Sequence, residues 1–594
     1  MRRYTADFET TTKSSYLKDG RVRVWAYAIC EIGNPDNFKY GNSIDEFMDI
    51  CADPHENAVY YWHNMKFDGE YLIYWLLSNG YEWIKDKEDR RPFTFTTLIT
   101  DMGQFYAIEV YFDVQGKNCN KVKFLDSLKI LNFSVEQIAK DFDLPIRKLE
   151  IDYDEYRPEG HILTEKEIDY IRNDVEIMAR ALDKMFEKGY TKMTIASNAL
   201  ADYKSIISDF NLYFPVLDLA IDADIRKSYK GGFTYLSDLY KEKEAENILV
   251  FDVNSLYPSV MAGVEGELMP IGQPEHFDGK YKKDPLYNLY VITFTCVFEL
   301  KKGMIPTIQD KSGNYGFRMN EYLTSSDDLP VTLTLTSVDF ELFKKHYNYR
   351  DIKYQGGWKF KSMLGLFNGY VDKHTREKIE AKKAGKKADY LIAKLFLNGL
   401  YGRFGLNPNG QTKQPYLKDG TVKYAFNDEE TREPVYIPVA SFITSYARRK
   451  TIETSQKIRD WSLKKYGEDF YIYSDTDSIH MRIKNKDEDI KELSKIFKID
   501  DYELGAWKLE SDNIVRGKYL RQKCYIEQSE DGTMNVTVAG LPKKLSHVID
   551  FDNFKVGFTT ESLTDEQIGG SGKKLTYAHV KGGVLLEETD FTIK

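Results

Sequence analysis

The chain is poor in the residues that staple small or secreted folds. Its five cysteines (Cys30, Cys51, Cys119, Cys296 and Cys524) are odd in number and contain no CxxC pair. That excludes a disulfide framework and a cysteine-bound zinc site, and it fits a reducing compartment. No apolar run comes near the roughly 20 residues of a membrane-spanning helix. The opening Met1-Arg-Arg-Tyr leads straight into a strand-like segment with no apolar leader, so the expected location is intracellular. Internal repeats, low-complexity tracts and linkers are absent. Positive charge is short as well: 83 Lys and Arg stand against 93 Asp and Glu, a net charge of −10. Bulk charge alone gives no reason to expect binding to a polyanion.

A chain of 594 residues, 42% apolar and 30% charged, is too long for one core and has the composition of a multidomain globular protein. Local charge departs from the total. Residues 376–403 carry eight basic side chains (Arg376, Lys378, Lys382, Lys383, Lys386, Lys387, Lys394, Arg403) against three acidic ones (Glu377, Glu380, Asp389). Such a run is either a solvated helix face or a phosphate-binding surface, because phosphate responds to local fields.

Residues 1–190 alternate strand-like and helix-like segments. Strands are predicted at Val22–Ile29, Ala58–Trp62 and Val122–Leu125. A helix is predicted over Glu165–Phe186 behind a Thr164 capping box. A second α/β region centres on the strand-like Ile248–Val253. Residues 264–360 are mixed, with Gly and Pro breaks and no catalytic cluster. The pattern from 370 to 404 reads as helical, with Gly402 and Gly405 at its end. Pro415–Phe426 reads as a β-hairpin turning at Asp419-Gly420.

Two constellations of carboxylates stand out. In Asp7-Phe8-Glu9 the i and i+2 acids leave one face of a strand while Phe8 points to the core, which suits a hard divalent cation. Asn64-Met-Lys-Phe67-Asp68 and Tyr170-Ile-Arg-Asn-Asp174 follow, and the i, i+4 spacing puts a phenol beside a carboxylate. The second set lies further on. Tyr473-Ser-Asp475-Thr-Asp477-Ser is a tight hairpin between strands. Asp252-Val253-Asn-Ser255-Leu256-Tyr257-Pro ends a strand with a carboxylate at its tip and backbone amides after it. On one helix face, Lys394, Asn398 and Tyr401 form a polar stripe. Acids for cations together with amides and a lysine for phosphates suit a metal–triphosphate.

In order and spacing the first set resembles the DEDDy class of 3′→5′ exonuclease. That resemblance makes Asp7, Glu9, Asp68 and Asp174 metal ligands and Tyr170 the group that orients water, with Lys148 steadying the phosphate. Thr10, His63, Asn64, Phe67, Ser127 and Leu128 match positions that hold a frayed single strand.

DxxSLYP, KxxxNxxYG and YxDTDS resemble motifs A, B and C of family B DNA polymerases. Lys523-Cys-Tyr525 is similar to the primer-binding KxY motif, Thr444–Arg448 to a TxxAR template motif, and Tyr229-Lys-Gly231-Gly232 to the YxGG connection. The C-terminal Phe551–Phe558 and Phe591–Lys594 resemble the protein-primed phage polymerases of the phi29 type.

The implied fold combines α/β and α+β parts. A DEDDy-type, RNase H-like exonuclease domain (1–192) is followed by a right-hand polymerase with two insertions. These are palm 193–263, a first insertion 264–369 that contacts a terminal protein, fingers 370–405, a second insertion 406–436, palm 437–537 and thumb 538–594. The resemblance implies two Mg²⁺ (or Mn²⁺) per active site, dNTP substrates, and a palm site of Asp252, Val253 and Asp477 with Asp475 assisting. Ser255, Leu256, Tyr257, Lys382, Lys394, Asn398 and Tyr401 would meet the nucleotide. Tyr229, Gly231, Gly232, Thr444, Arg448, Lys523 and Tyr525 would meet DNA. Expected partners are primer and template, a priming protein and a single-stranded-DNA-binding protein, with the enzyme a monomer in the cytoplasm of an infected bacterium. Gly399 departs from the family's usual Ser, removing a hydroxyl expected near the nucleotide, and residues 559–582 are longer and more polar than usual. A stand-alone nuclease, a DNA-binding scaffold and an ordinary RNA-primed replicase each leave part of this pattern unused.

Overall fold

The computed structural model describes residues 2–13, 20–53, 57–115, 118–153, 155–158, 160–309, 321–564 and 574–594. Part of the unusual 559–582 segment lies outside them.

Three sheets organise the molecule. The N-terminal sheet has eight strands in the order Asn34–Gly41, Val24–Glu31, Arg2–Thr10, Ala58–Trp62, Asn118–Asp126, Phe105–Gln115, Thr94–Ile99, Glu82–Trp83. Its centre is parallel: Arg2–Thr10 pairs with Ala58–Trp62, which pairs with Asn118–Asp126. Helix Glu165–Glu187 starts at the predicted capping box, with Thr164 and Glu167 exchanging bonds, and packs its apolar stripe on this sheet. The second strand begins at Val24 rather than Val22, because Val22 donates its amide to Lys581 O at 2.9 Å.

The central sheet has seven strands, Met534–Val538, Cys524–Ser529, Trp507–Arg521, Glu244–Val253, Ser478–Arg482, Tyr471–Asp475, Thr234–Leu236, all antiparallel where they pair. The 30-residue helix Ile437–Tyr466 backs it. Tyr473 and Tyr525 lie four strands apart in that order, yet their rings are 5.5 Å apart. The sheet therefore curls into a half-barrel. Inside it, Glu527 bonds His480 Nδ1 at 2.7 Å and accepts from Tyr519 OH at 2.6 Å, so the buried carboxylate keeps its partners.

The mixed pattern of residues 264–360 corresponds, among the described residues, to strands interrupted by bulges and one helix, Ser337–His346. The strands form a four-stranded antiparallel sheet (Met269–Phe277, Tyr347–Met363, Leu289–Leu300, Val331–Thr336) that packs partly on an apolar cluster of its own and partly on the main core through Met269, Leu289, Val291 and Phe360. The 370–404 pattern resolves into two helices, Asn368–Lys383 and Lys387–Phe404. They are separated at Gly385, whose φ of +68° turns the chain back. Asp419 and Gly420, both at positive φ, close the predicted hairpin of Lys413–Lys418 and Thr421–Phe426. Among the described side chains, Cys30, Cys51, Cys296 and Cys524 are free and buried.

Candidate active sites

Asp7 and Glu9 leave one face of the central strand of the N-terminal sheet while Phe8 is buried on the other. Asp68 stands in the first turn of helix Met65–Ser78 and accepts from Phe8 N at 3.3 Å. Asp174 comes from the long helix and faces Lys148 Nζ at 2.6 Å. Burial, then the charge of Asp174, pushes the Asp7 carboxyl up to about 7. Burial and both neighbours hold Glu9 well above the usual range. Burial and Asp7 do the same to Asp68, and burial raises Asp174 against the pull of Lys148. Of the four acids Asp68 and Asp174 are buried and Asp7 and Glu9 half-buried; Lys148 acts on Asp7, Glu9 and Asp174, and Asp174 Oδ1 is buried without a hydrogen-bond partner among the described residues.

Among the described residues no three such side chains already converge as a finished cage. The case for cations at this position is the uncompensated charge. Tyr170 is buried and touches Glu9; burial and the surrounding carboxylates drive its phenol far upward. Its hydroxyl meets Tyr153 OH at 2.6 Å. Tyr153 was missed from the sequence because it sits in an irregular segment with no periodicity.

The strand-holding candidates divide. Asn64 and Phe67 lie on the accessible side, and Asn64 Nδ2 reaches Tyr577 OH at 3.4 Å. Leu128 is half-buried beside them. Thr10 and Ser127 are buried, and His63 spends both ring nitrogens on Ser127 Oγ (3.0 Å) and Phe133 O (2.6 Å). His63 and Ser127 therefore brace the site instead of offering free groups to DNA. Asp126, which the sequence reading passed over, organises this edge by accepting from the amides of Asn64 and Leu128 at 3.1 and 3.0 Å.

At the second site the strand Glu244–Val253 delivers Asp252 beside the Thr476-Asp477 turn, and Val253 N donates to Asp477 O at 2.8 Å. Ser255, at φ +54°, turns the chain into helix Leu256–Ala262, whose first amides have no intrahelical acceptor. Burial, then Asp477, then Glu510 push Asp252 up to about 7. Burial and Asp475 raise Asp477. Glu510 is a third acid that no motif announced; it faces Asp252 only because Trp507–Arg521 pairs alongside.

Asp475 is engaged elsewhere. It accepts from Lys523 Nζ at 2.8 and 3.0 Å and from Thr234 Oγ1 at 3.0 Å. Lys523 and Tyr525 of the KxY motif are therefore fastened to the catalytic hairpin by the curl of the sheet. Gly232 is fixed by packing: a Cβ there would lie 2.6 Å from Thr476 Oγ1.

Thr444 and Arg448, expected to meet DNA, lie on the long helix Ile437–Tyr466. Both are buried. Arg448 pairs with Asp339 and donates to the carbonyls of Lys230 and Gly231 at 2.7 Å each, so it braces the YxGG segment from inside. Tyr229 is half-buried above Gly405, where an added Cβ would meet its hydroxyl.

On the paired helices, Lys394 and Asn398 are exposed and Tyr401 stacks on Tyr257 with centroids 4.0 Å apart and planes at 26°. Lys382 lies over the Tyr502 ring at 5.3 Å. Lys378, one turn earlier and not singled out from sequence, is partly buried, and burial, then Lys394 and Lys382, lower its ammonium. Lys378, Lys382 and Lys394 thus lie close enough on the helical hairpin for the last two to act on Lys378; the signal was the i, i+4 spacing of Lys378 and Lys382.

Gly399 does not leave a gap beside the nucleotide residues. A Cβ there would sit 3.9 Å from Ala196 and Ala199 of helix Ile195–Ile206. Gly399→Ala is expected to raise stability by about 0.5–1 kcal/mol through helix propensity with primer extension unchanged. A thermal melt checks it, and a lowered midpoint would mean the helices are packed closer than described.

Two sets of repelling carboxylates, one on an α/β sheet and one at a hairpin beside a lysine-bearing helical pair, define a phosphodiester-processing enzyme of polymerase architecture. The family model for "DNA polymerase type B, organellar and viral" matches residues 54–496. DNA polymerases of Bacillus phage Nf and Bacillus phage phi29 are 43% and 41% identical over 100% of this chain and 99% of theirs. That of Streptococcus phage Cp-1 is 32% identical over 100% and 98%. A solved structure of phi29 DNA polymerase with primer-template DNA and incoming nucleotide substrates matches with a TM-score of 0.89 at 40% identity, covering 100% of both chains. The chain belongs to the viral and organellar type B DNA polymerases, among the phi29-like phage enzymes, and has their exonuclease, palm, fingers and thumb fold. Among the described residues no helix is long and apolar enough to cross a membrane.

Proposed function

We propose that this polymerase replicates a phage genome in the cytoplasm of an infected bacterium, elongating primers and removing mispaired 3′ ends at a separate exonuclease site. The observation that carries the reading is the presence of two spatially distinct acid sets whose carboxyls are held above the usual range despite neighbouring lysines. Asp7, Glu9, Asp68 and Asp174 would hold one pair of divalent cations, and Asp252, Asp477 and the carbonyl of Val253 another, with Mg²⁺ or Mn²⁺ the suitable ions. When bound, such a pair supplies an activated nucleophile and stabilises the leaving oxygen.

The chain's own groups do the rest. Lys394, Lys378 and Lys382 would take the triphosphate charge, together with the first amides of helix Leu256–Ala262. Tyr257 and Tyr401 present a stacked wall to the sugar and base. Lys523 and Tyr525 grip the primer. Asn64 and Phe67 receive the frayed end, where Phe67 offers a stacking face, and Tyr170 with Tyr153 orients water at the exonuclease acids. The phi29 enzyme has been solved with primer-template DNA and with single-stranded DNA, which supports the same ligands here.

The division that goes with this reading is exonuclease 1–192, palm 193–263 and 437–537, insertions 264–369 and 406–436, fingers 370–405, thumb 538–594. The first insertion, a sheet with an apolar cluster beyond the main core, suits a priming protein; a single-stranded-DNA-binding protein and a monomeric enzyme complete the picture. Purified protein given primed DNA, dNTPs and Mg²⁺ is expected to extend paired ends and trim mismatched ones. Inability to do either would reject the reading. Deleting residues 411–430 is expected to leave short extension intact and to remove long products on nicked circular duplex; full-length displacement products from that deletion would reject a role for the second insertion. For priming, the enzyme should join a first nucleotide to a hydroxyl of a partner protein. Use of RNA primers alone would favour an ordinary replicase.

A further inference from the structure

A buried charged cluster that belongs to neither acid set lies at the foot of the lysine-bearing helical hairpin. His374, in helix Asn368–Lys383, is buried. Its Nε2 faces Asp202 Oδ2 at 2.8 Å and its Nδ1 faces Glu377 Oε2 at 2.9 Å. Glu377 is on the same helix, but Asp202 comes from helix Ile195–Ile206, outside the hairpin. Asp202 also accepts from Lys373 Nζ at 2.6 Å.

Close packing surrounds this polar centre. Tyr203 stacks on Phe367 with centroids 4.8 Å apart and donates to Leu366 O at 3.2 Å. A Cβ on Gly369 would meet Ile206 Cγ2 at 3.0 Å, and one on Gly399 would touch Ala196 and Ala199. Helix Ile195–Ile206 is therefore the seat on which both helices of the hairpin rest. Three further titratable groups face the cluster. The Tyr370 ring lies edge-on to His374 at 4.5 Å and spends its hydroxyl on Phe396 O. Tyr190 feels the charges of Asp202 and Glu377, and Lys188 acts on Glu377.

A neutral imidazole has one N–H and one lone pair, so it can satisfy one of these carboxylates only by turning its lone pair on the other. The imidazolium donates to both. Burial works against that charge, but the bonds to Asp202 and Glu377 outweigh it, and the ring keeps its proton above the ordinary histidine range. With Lys373 the cluster sets two cations against two anions, a network with its partners in place. Lys378 follows His374 by four residues, one turn along the same face. We infer that His374 is a positioning residue: as an imidazolium it bolts the hairpin to helix Ile195–Ile206 and so places Lys378 for the incoming nucleotide. A group held above its ordinary range stabilises while protonated and stops doing so as pH rises through its folded value. Nucleotide affinity should therefore weaken toward alkaline pH, as the seat loosens and the lysine moves. The inference rests on the reading of Lys378 as a triphosphate ligand.

The test follows KM for dNTP and kcat of single-nucleotide addition from neutral to alkaline pH in wild type, Glu377→Gln, His374→Gln and Lys378→Ala. Degradation of single-stranded DNA and thermal midpoints are measured alongside. The wild-type KM is expected to rise with pH. Glu377→Gln changes a half-buried side chain, and its amide oxygen still accepts from Nδ1; with one anion gone, the rise should move to lower pH. His374→Gln cannot carry the charge, so it should raise KM at neutral pH by about tenfold, the loss of one bond to a charged group, and abolish the rise. In both variants kcat at saturating dNTP and degradation of single-stranded DNA should hold. A wild-type KM in His374→Gln would overturn the inference, and so would parallel loss of both activities. A Glu377→Gln profile that superimposes on wild type would overturn it too, whether or not His374→Gln folds well. Lys378→Ala with a wild-type KM would instead reject the triphosphate reading beneath it.

Discussion

Asp252→Ala or Asp477→Ala should abolish nucleotide incorporation while degradation of single-stranded DNA continues, and Asp7→Ala combined with Glu9→Ala should do the reverse. The strands that carry Asp7 and Glu9 and those that carry Asp252 and Asp477 belong to different sheets that share no strand, so each substitution acts within its own site. Removing a carboxylate from a two-cation site takes away several kcal/mol of transition-state stabilisation, roughly 10³-fold or more in rate. It also relieves repulsion, because burial and Asp477 are what hold Asp252 up to about 7. The variants should therefore fold at least as well as wild type, which separates lost chemistry from lost structure. Steady-state incorporation and exonuclease assays on the same preparations decide the matter. Parallel loss of both activities in each variant would mean the sites are one functional unit.

Tyr257→Val should admit ribonucleotides. The Tyr257 ring is clamped face-on by Tyr401, five residues past Asp252 on the helix that begins at Leu256. A clamped ring cannot yield to a 2′-hydroxyl, so the sugar must shift instead, and forcing extra atoms into a packed site costs about 1–3 kcal/mol, roughly 10–100-fold. Valine removes the wall. The ratio of dNTP to rNTP incorporation should fall by that factor while dNTP incorporation falls less. An unchanged ratio would assign sugar selection to another residue.

What was legible in the sequence is what local periodicity and short motifs encode. The strand around Asp7, the capped helix bearing Tyr170 and Asp174, the Asp475–Asp477 turn and the Asp419-Gly420 hairpin are each set by neighbours within a few positions. What was not legible depends on register between distant strands. Glu510 faces Asp252 through the pairing of Phe251 with Leu509 and Asp252 with Lys508, and Lys523 meets Asp475 through the curl of seven strands. Arg448 shows the limit of motif matching. Its residue type and spacing fit a DNA-facing cation, but 109 residues away Asp339 claims it for the interior. Gly399 shows the same for an absence: a Cβ there would face Ala196 and Ala199 of the helix Ile195–Ile206.

The central sheet also dictates an order of assembly. Strand Glu244–Val253 hydrogen-bonds to Ser478–Arg482 on one side and to Trp507–Arg521 on the other. Its first partner leaves the ribosome 225 positions after Val253 (478 − 253), about 10–45 s later at ordinary elongation rates. For that interval the Ile248-Leu-Val-Phe251 run has two bare edges, the condition under which strands pair with the wrong chain. The N-terminal sheet has all its strands within residues 2–126 and closes early. Even so, the patch of its core that will receive Val422, Val584 and Leu585 stays open to solvent until the last residues are made. Chains cut short before residue 478 should therefore be insoluble despite an intact first domain, and slower growth at low temperature, with chaperones in supply, should raise the yield of full-length protein.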